Sequence, residues 1–196
     1  MLSQPEPEEV HAVLKDFEDP LMGIHLRAWD RLMSNPEWPT LVFSRTGTGL
    51  MHDLIVQEAS SVLDTMPRVH KIEHDKSVRY LFADEVLLRF KHGSDRGLGS
   101  NVDTKANSDF IDADVELWGM PQVKKVELLW YENKLRTKLD RVEVTARDGK
   151  RRLWGYPMGS EPVTVQMPFD LPDMPPQHRA IPLVTVKTAR KADSKD

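Results

Sequence analysis

The sequence predicts an α+β domain: N-terminal helices packed on a mostly antiparallel sheet of about five strands, followed by a proline-rich C-terminal tail. Three observations predict it. Apolar residues between 8 and 66 recur every three or four positions, the period of helices that bury one face. From Val69 to Tyr156 the period drops to two, that of half-buried strands. Seven of the fourteen prolines then fall between Pro157 and Pro182, which disfavours both regular helix and central strand there. The reading is a single domain over 1–156, with a helical layer at 8–66 and a sheet at 69–156, and an extended tail over 157–196.

Glu8 to Glu18 reads as a short helix that stops ahead of Pro20, because proline disfavours helical geometry in the residue before it. Leu21 to Ser34 reads as a second. Leu21, Ile24, Ala28 and Leu32 share one face of it, with Trp29 and Met33 alongside, until Asn35-Pro36 ends the run. The strongest helix spans about Gly49 to Met66, where Leu50, Leu54, Ile55, Ala59, Val62, Leu63 and Met66 repeat at helical spacing. Thr48 is placed to cap its start, and Pro67 closes it.

In the sheet half, Val78, Tyr80 and Phe82 alternate, Ala83-Asp84-Glu85 turns the chain, and Val86, Leu88 and Phe90 alternate again, which makes a hairpin. Residues His92 to Asn107 hold three glycines and few apolar side chains, so they read as a long surface loop. An acidic-apolar segment, Phe110 to Met120, follows and is broken by Pro121. Val126, Leu128 and Trp130 then line one strand and Val142, Val144 and Ala146 another. Asp148-Gly149 is a dipeptide suited to a tight hairpin turn with positive φ, after which Arg151 to Tyr156 returns. Leu183 to Lys187 reads as the last ordered piece and Lys191 to Asp196 as a frayed end.

A chain of 196 residues is long enough for one sizeable core. It contains no cysteine, which excludes disulfides, thiolate metal sites and thiol nucleophiles. The opening residues are acidic and carry Pro5 and Pro7, unlike an export signal, and no apolar run approaches the ~18 residues of a membrane span. A cytoplasmic protein with no membrane partner is expected. The net charge of −4 is unevenly spread: residues 1–40 hold three basic and eight acidic side chains, whereas 123–156 hold ten basic and five acidic.

That basic stretch, the strand end at Arg89 and Lys91, and the loop over 93–107 supply the main binding candidates. Arg89, Lys91, Arg96, Lys134, Arg136, Arg141, Arg147, Lys150, Arg151 and Arg152 present cations along the meander and the glycine-rich loop, with Trp130, Trp154 and Tyr156 interleaved. Cations attract phosphates and exposed rings stack on bases, so nucleic acid is a possible partner. The competing reading turns the aromatics to the core and leaves the cations as an ordinary solvated sheet face. A catalytic alternative is a Mg²⁺-dependent nuclease built from Asp112, Asp114, Glu132 and Lys134, which needs those groups to converge on one phosphate. Arg45-Thr46-Gly47-Thr48-Gly49 lacks the Lys-Ser/Thr of a phosphate-binding loop, and His70 and His74 lack a third zinc ligand. No cofactor or resident metal is therefore expected.

Several pieces together resemble an uncharacterised bacterial family associated with phage-related or mobile loci. They are Met51-His52-Asp53 opening a helix, Val86 to Lys91, Ser100-Asn101-Val102-Asp103-Thr104, Leu117-Trp118-Gly119-Met120-Pro121, and the meander ending in Trp154. The resemblance covers about residues 50 to 156 and implies a toxin–antitoxin or phage-defence setting. The function expected is that of a non-catalytic macromolecule-binding protein with a protein partner. A nucleic-acid-binding regulator using 134–152 and the nuclease stand as alternatives.

Overall fold

The computed structural model describes residues 4–74, 77–100, 104–112, 114–117, 123–160 and 162. The helices are α1 (Pro7–Leu14), α2 (Glu18–Met33), α3 (Ser44–Leu63) and α4 (Lys105–Ile111). The strands are β1 (Val69–His74), β2 (Ser77–Phe82), β3 (Val86–His92), β4 (Lys124–Glu132), β5 (Leu139–Asp148) and β6 (Arg151–Pro157). They form one sheet in sequence order, antiparallel throughout except for the parallel pair β3–β4. The fold is α+β.

One face of the sheet carries Tyr80, Phe82, Leu88, Phe90, Leu128, Trp130, Val142, Val144 and Tyr156, and α1, α2 and α3 pack on it. The helical stripes bury as their spacing requires: Leu21, Ile24, Ala28 and Leu32 from α2, and Met51, Leu54, Ile55, Ala59 and Leu63 from α3. Each large aliphatic side chain buried this way contributes about 1.5–3 kcal/mol. The parallel β3–β4 pair requires a crossover. Its described parts cover the opposite face, where Phe110 of α4 and Leu117 join Leu81 and Leu87 in a smaller core.

Four local expectations are corrected. There are six strands rather than about five: β1 adds an edge strand whose only buried side chain is Val69, so its pairing with β2 leaves little apolar alternation to read. Pro20 does not end a helix. It lies in the first turn of α2, where its missing N–H has no partner to lose, and the break from α1 is the 3₁₀ turn Lys15–Phe17. The third helix starts at Ser44, so Thr48 is inside it rather than at its cap; Gly47 is helical and lets Trp38 and Arg136 pack against the backbone. Finally, the end of the expected long loop is helical. Thr104 caps α4 by accepting the Asn107 N–H on its hydroxyl at 3.3 Å.

The Asp148-Gly149 turn forms as expected, with Gly149 at φ +55°. Register shifts at Tyr131/Glu132 and Ala146/Arg147 bend the meander. The expectations for the tail beyond 162, for 101–103 and for the break at 118–121 lie outside the described residues.

Candidate functional site

Strand alternation places Arg89 and Lys91 on the face away from α1–α3, because Leu88 and Phe90, which alternate with them, point to the core. Register then lines up a row across four strands: Arg89 beside Glu127, Glu127 beside Thr145, and Thr145 beside Gly155. Arg89 donates from Nε and Nη2 to Glu127 Oε1 at 3.1 and 2.5 Å, and from Nη1 to Asn107 at 2.7 Å. Arg147 lies 3.6 Å from the other carboxylate oxygen, which accepts the Gly99 N–H at 3.0 Å. Burial works to raise the Glu127 pKa, but Arg89, Arg147 and the Gly99 amide outweigh it and hold the carboxyl below the usual range.

The segment from Gly93 to Gly99 folds over this row as a small hairpin closed by the Gly93–Gly99 bridge. Its glycines are needed for the approach. A Cβ at Gly99 would sit 2.6 Å from a Glu127 oxygen, and one at Gly93 would overlap the Tyr131 ring. Gly97, at φ +65°, lies against the Arg152 guanidinium, which bonds Glu143. The expected surface loop is thus a lid over buried charge.

This arrangement decides what the predicted cations do. Arg89, Arg136, Arg141, Arg147, Arg151 and Arg152 each sit in an ion pair with an acidic neighbour, and Arg89 and Arg147 are withdrawn from solvent as well. Arg96, Lys134 and Lys150 are exposed with no ion pair among the described residues, and Lys91 is half-buried with none. The exposed three do not share a patch. Lys134 and Lys150 lie at opposite ends of β5, whose ten residues span roughly 30 Å.

The nuclease set does not come together. Asp112 and Asp114 are exposed beside the start of β4, where Lys125 Nζ donates to the carbonyls of Asp109, Asp112 and Val115. Glu132 ends the same strand, seven residues and roughly 23 Å further on. Lys134 follows in the turn after it. Among the described residues no three of His, Asp and Glu gather closely enough to hold a metal ion. His70 instead lies 3.7 Å from Asp84.

Glu132 and Arg136, which the sequence reading assigned to different sites, meet in the β4–β5 turn. Arg136 Nε donates to Glu132 Oε1 at 3.0 Å, and its guanidinium stacks 4.5 Å over the Trp38 ring. Gly47 leaves room for both groups, since a Cβ there would meet each at 2.5 Å. This clamp ties the turn to the start of α3. The segments that carry it also leave three large apolar side chains in solvent: Val42 is 86% exposed, Phe43 72% and Leu135 80%. Leu135 adjoins the clamped Arg136, and Phe43 lies one helical turn ahead of Gly47. Arg45, Lys134 and Lys138, exposed and in no ion pair among the described residues, lie within three positions of these side chains along the chain, and Glu37 lies five before Val42.

Val42, Phe43 and Leu135 were not singled out by the sequence reading. The available signal was Leu-Val-Phe at 41–43 in a short link with no helical or strand period, and one leucine inside the charged turn 133–138. No protein-family model, curated protein or solved structure matches this chain.

Proposed function

We propose that the chain is a non-catalytic macromolecule-binding protein that docks a protein partner through Val42, Phe43 and Leu135, as one member of a bacterial toxin–antitoxin or phage-defence pair. The observation that carries the docking is the exposure of these three side chains beside the Arg136–Trp38 clamp. Large apolar groups held on a rigid support and left in water are the usual anchors of an interface. Arg45, Lys134 and Lys138 define the partner's chemistry: an apolar groove with carboxylates at its rim. The pairing of most other meander cations favours this end over a broad phosphate-binding face. The toxin–antitoxin or phage-defence setting is supported by the resemblance across 50–156 alone.

The test is site-specific photocrosslinking in the native host from a benzophenone amino acid placed at position 43 or 135, followed by affinity measurements with the purified captured partner. Phe43→Asp and Leu135→Asp are each expected to weaken binding by tenfold or more, about 1.4 kcal/mol, with an unchanged circular dichroism spectrum. Unchanged affinity in both variants overturns the reading.

A further inference from the structure

The two edge strands of the sheet, β1 and β6, differ in how they meet solvent. β6 carries the adjacent cations Arg151 and Arg152 and ends in Pro157, which has no N–H to offer. A register shift at Ala146/Arg147 bends its pairing with β5, and Trp154 Nε1 donates to the Pro5 carbonyl at 2.6 Å. Proline, like charges and a bulge are the usual guards of a sheet edge. β1 has none of them. It holds no proline or glycine, pairs with β2 through successive residues without a shift, and leaves His70, Lys71, Glu73 and His74 exposed.

The Ala83 N–H donates to the Arg68 carbonyl at 2.8 Å, next to the Val69–Phe82 pair. By the alternation of an antiparallel ladder, His70, Ile72 and His74 then turn their backbone groups to β2, and Val69, Lys71 and Glu73 turn theirs outward. Among the described residues no backbone group meets these outward ones. Their side chains share the face of Tyr80 and Phe82, where Lys71 Nζ lies 2.6 Å from Glu73 and 3.9 Å from Asp64. Ile72 is on the other face and packs against the smaller core of Leu81, Leu87, Phe110 and Leu117.

A strand added here must set outward groups against outward groups. For a second copy running antiparallel about a two-fold axis, two registers keep most of the strand overlapped. One sets Lys71 against Lys71 on the axis, with Val69 against Glu73, and is opposed by like charge. The other sets Lys71 against Glu73 in both directions. Each Lys71 then has a Glu73 beside it on its own strand and another across the junction, which closes a square of alternating charge. Ile72 meets Ile72 on the axis, at a non-hydrogen-bonded position where side chains approach most closely, and continues the smaller core between copies.

We propose that a second copy of this chain binds along β1, antiparallel, with Lys71 opposite Glu73 and Ile72 on the two-fold axis, so that two sheets become one. Each Lys71–Glu73 pair exchanges both of its backbone hydrogen bonds. The contact is small, so the dimer is weak, with a Kd on the order of 10 μM. β1 lies three strands from β4, and the contact is separate from the docking end.

Sedimentation velocity of the full-length protein at concentrations on either side of that Kd is expected to show a monomer–dimer equilibrium. Lys71→Glu and Glu73→Lys each set like charges opposite one another and are expected to weaken the dimer by roughly tenfold. Combined in one chain, they restore the alternation and are expected to return the Kd to within about threefold of wild type. Because the chain has no cysteine, Ile72→Cys reads the register directly: its thiols fall within disulfide reach across the axis, whereas those of Lys71→Cys do not. Air oxidation is expected to link Ile72→Cys at least about tenfold faster than Lys71→Cys. A wild type that stays monomeric at a concentration on the order of 100 μM overturns the proposal. So does a combined variant no tighter than either single one, or faster linking from Lys71→Cys.

Discussion

Arg89 and Glu127 are register partners across the parallel β3–β4 pair, and both side chains are buried, joined by two hydrogen bonds to one carboxylate oxygen. The pair also holds the lid, because Glu127 accepts the Gly99 N–H and approaches Arg147. Removing the acid leaves buried guanidinium groups without their counter-charge. Glu127→Ala is expected to lower stability by about 3–5 kcal/mol in urea denaturation. A loss under about 1 kcal/mol would mean that the array is not part of what holds the sheet and lid together.

The same carboxylate sets an acid limit. Its folded pKa is depressed below the ordinary 4.5, so the unfolded chain takes up its proton first as the pH falls. Its contribution is complete above that ordinary value and is lost as the pH falls through the lower folded value. Stability measured from pH 5 downward should decline in the wild type and show a shallower decline in Glu127→Gln. Equal slopes would detach Glu127 from the acid limb.

His25 controls a separate window. It is fully buried in α2, donates from Nδ1 to the Leu21 carbonyl at 2.8 Å and packs its ring 5.5 Å from Phe90. Burial pushes its pKa down to about 4 from 6.5, despite the opposing hydrogen bond to Leu21. Above pH 6.5 both folded and unfolded forms are neutral, and the shift has no effect on stability. Between 6.5 and 4 the unfolded chain gains the proton and the folded chain does not, so stability falls by up to about 3 kcal/mol. Urea midpoints at pH 7 and pH 5 should differ in the wild type, and His25→Leu should flatten that difference.

Two glycines in α3 separate packing from propensity. Gly49 has nothing within 4 Å of a would-be Cβ, so Gly49→Ala is expected to stabilise by about 0.5–1 kcal/mol through the helix backbone alone. Gly47→Ala meets Trp38 and Arg136, and should destabilise by about 1–3 kcal/mol while loosening the β4–β5 turn. Thermal melts of the two single variants check both signs. Movement in the same direction would contradict the clamp geometry.

These contrasts show which features were readable from the chain. Leu21, Ile24, Ala28 and Leu32 bury as their spacing dictates, because helix amphipathicity is a local property. Trp130, Val142, Val144 and Tyr156 likewise fall on the core face by strand alternation. The fate of Arg89 was not readable in that way. Its partner Glu127 lies 38 residues away across a parallel pair, and its cover comes from the glycine hairpin, so its burial depends on tertiary pairing that no local period records. The same holds for Arg136, whose stacking on Trp38 needs a turn and an interhelical link to meet. The sequence reading found the exposed cations Lys134 and Lys150, but not which of them has apolar neighbours.

That distinction separates the docking end from the other hairpin. Lys150 and Arg151 sit at the β5–β6 turn, where Arg151 already pairs with Asp148 at 3.5 Å, roughly 30 Å along β5 from Lys134 and Lys138. Arg152 is best left intact, since it bonds Glu143 beneath Gly97 and its loss would disturb the lid. Lys134→Ala with Lys138→Ala should therefore weaken partner binding several-fold at low salt and much less at high salt, because exposed charges are screened. Lys150→Ala with Arg151→Ala should leave affinity within twofold at both, a change under about 0.5 kcal/mol. Titration calorimetry with the crosslinked partner at two ionic strengths reads the contrast. The reverse order, with binding lost at 150–151 and kept at 134 and 138, would move the interface to the other end of the sheet.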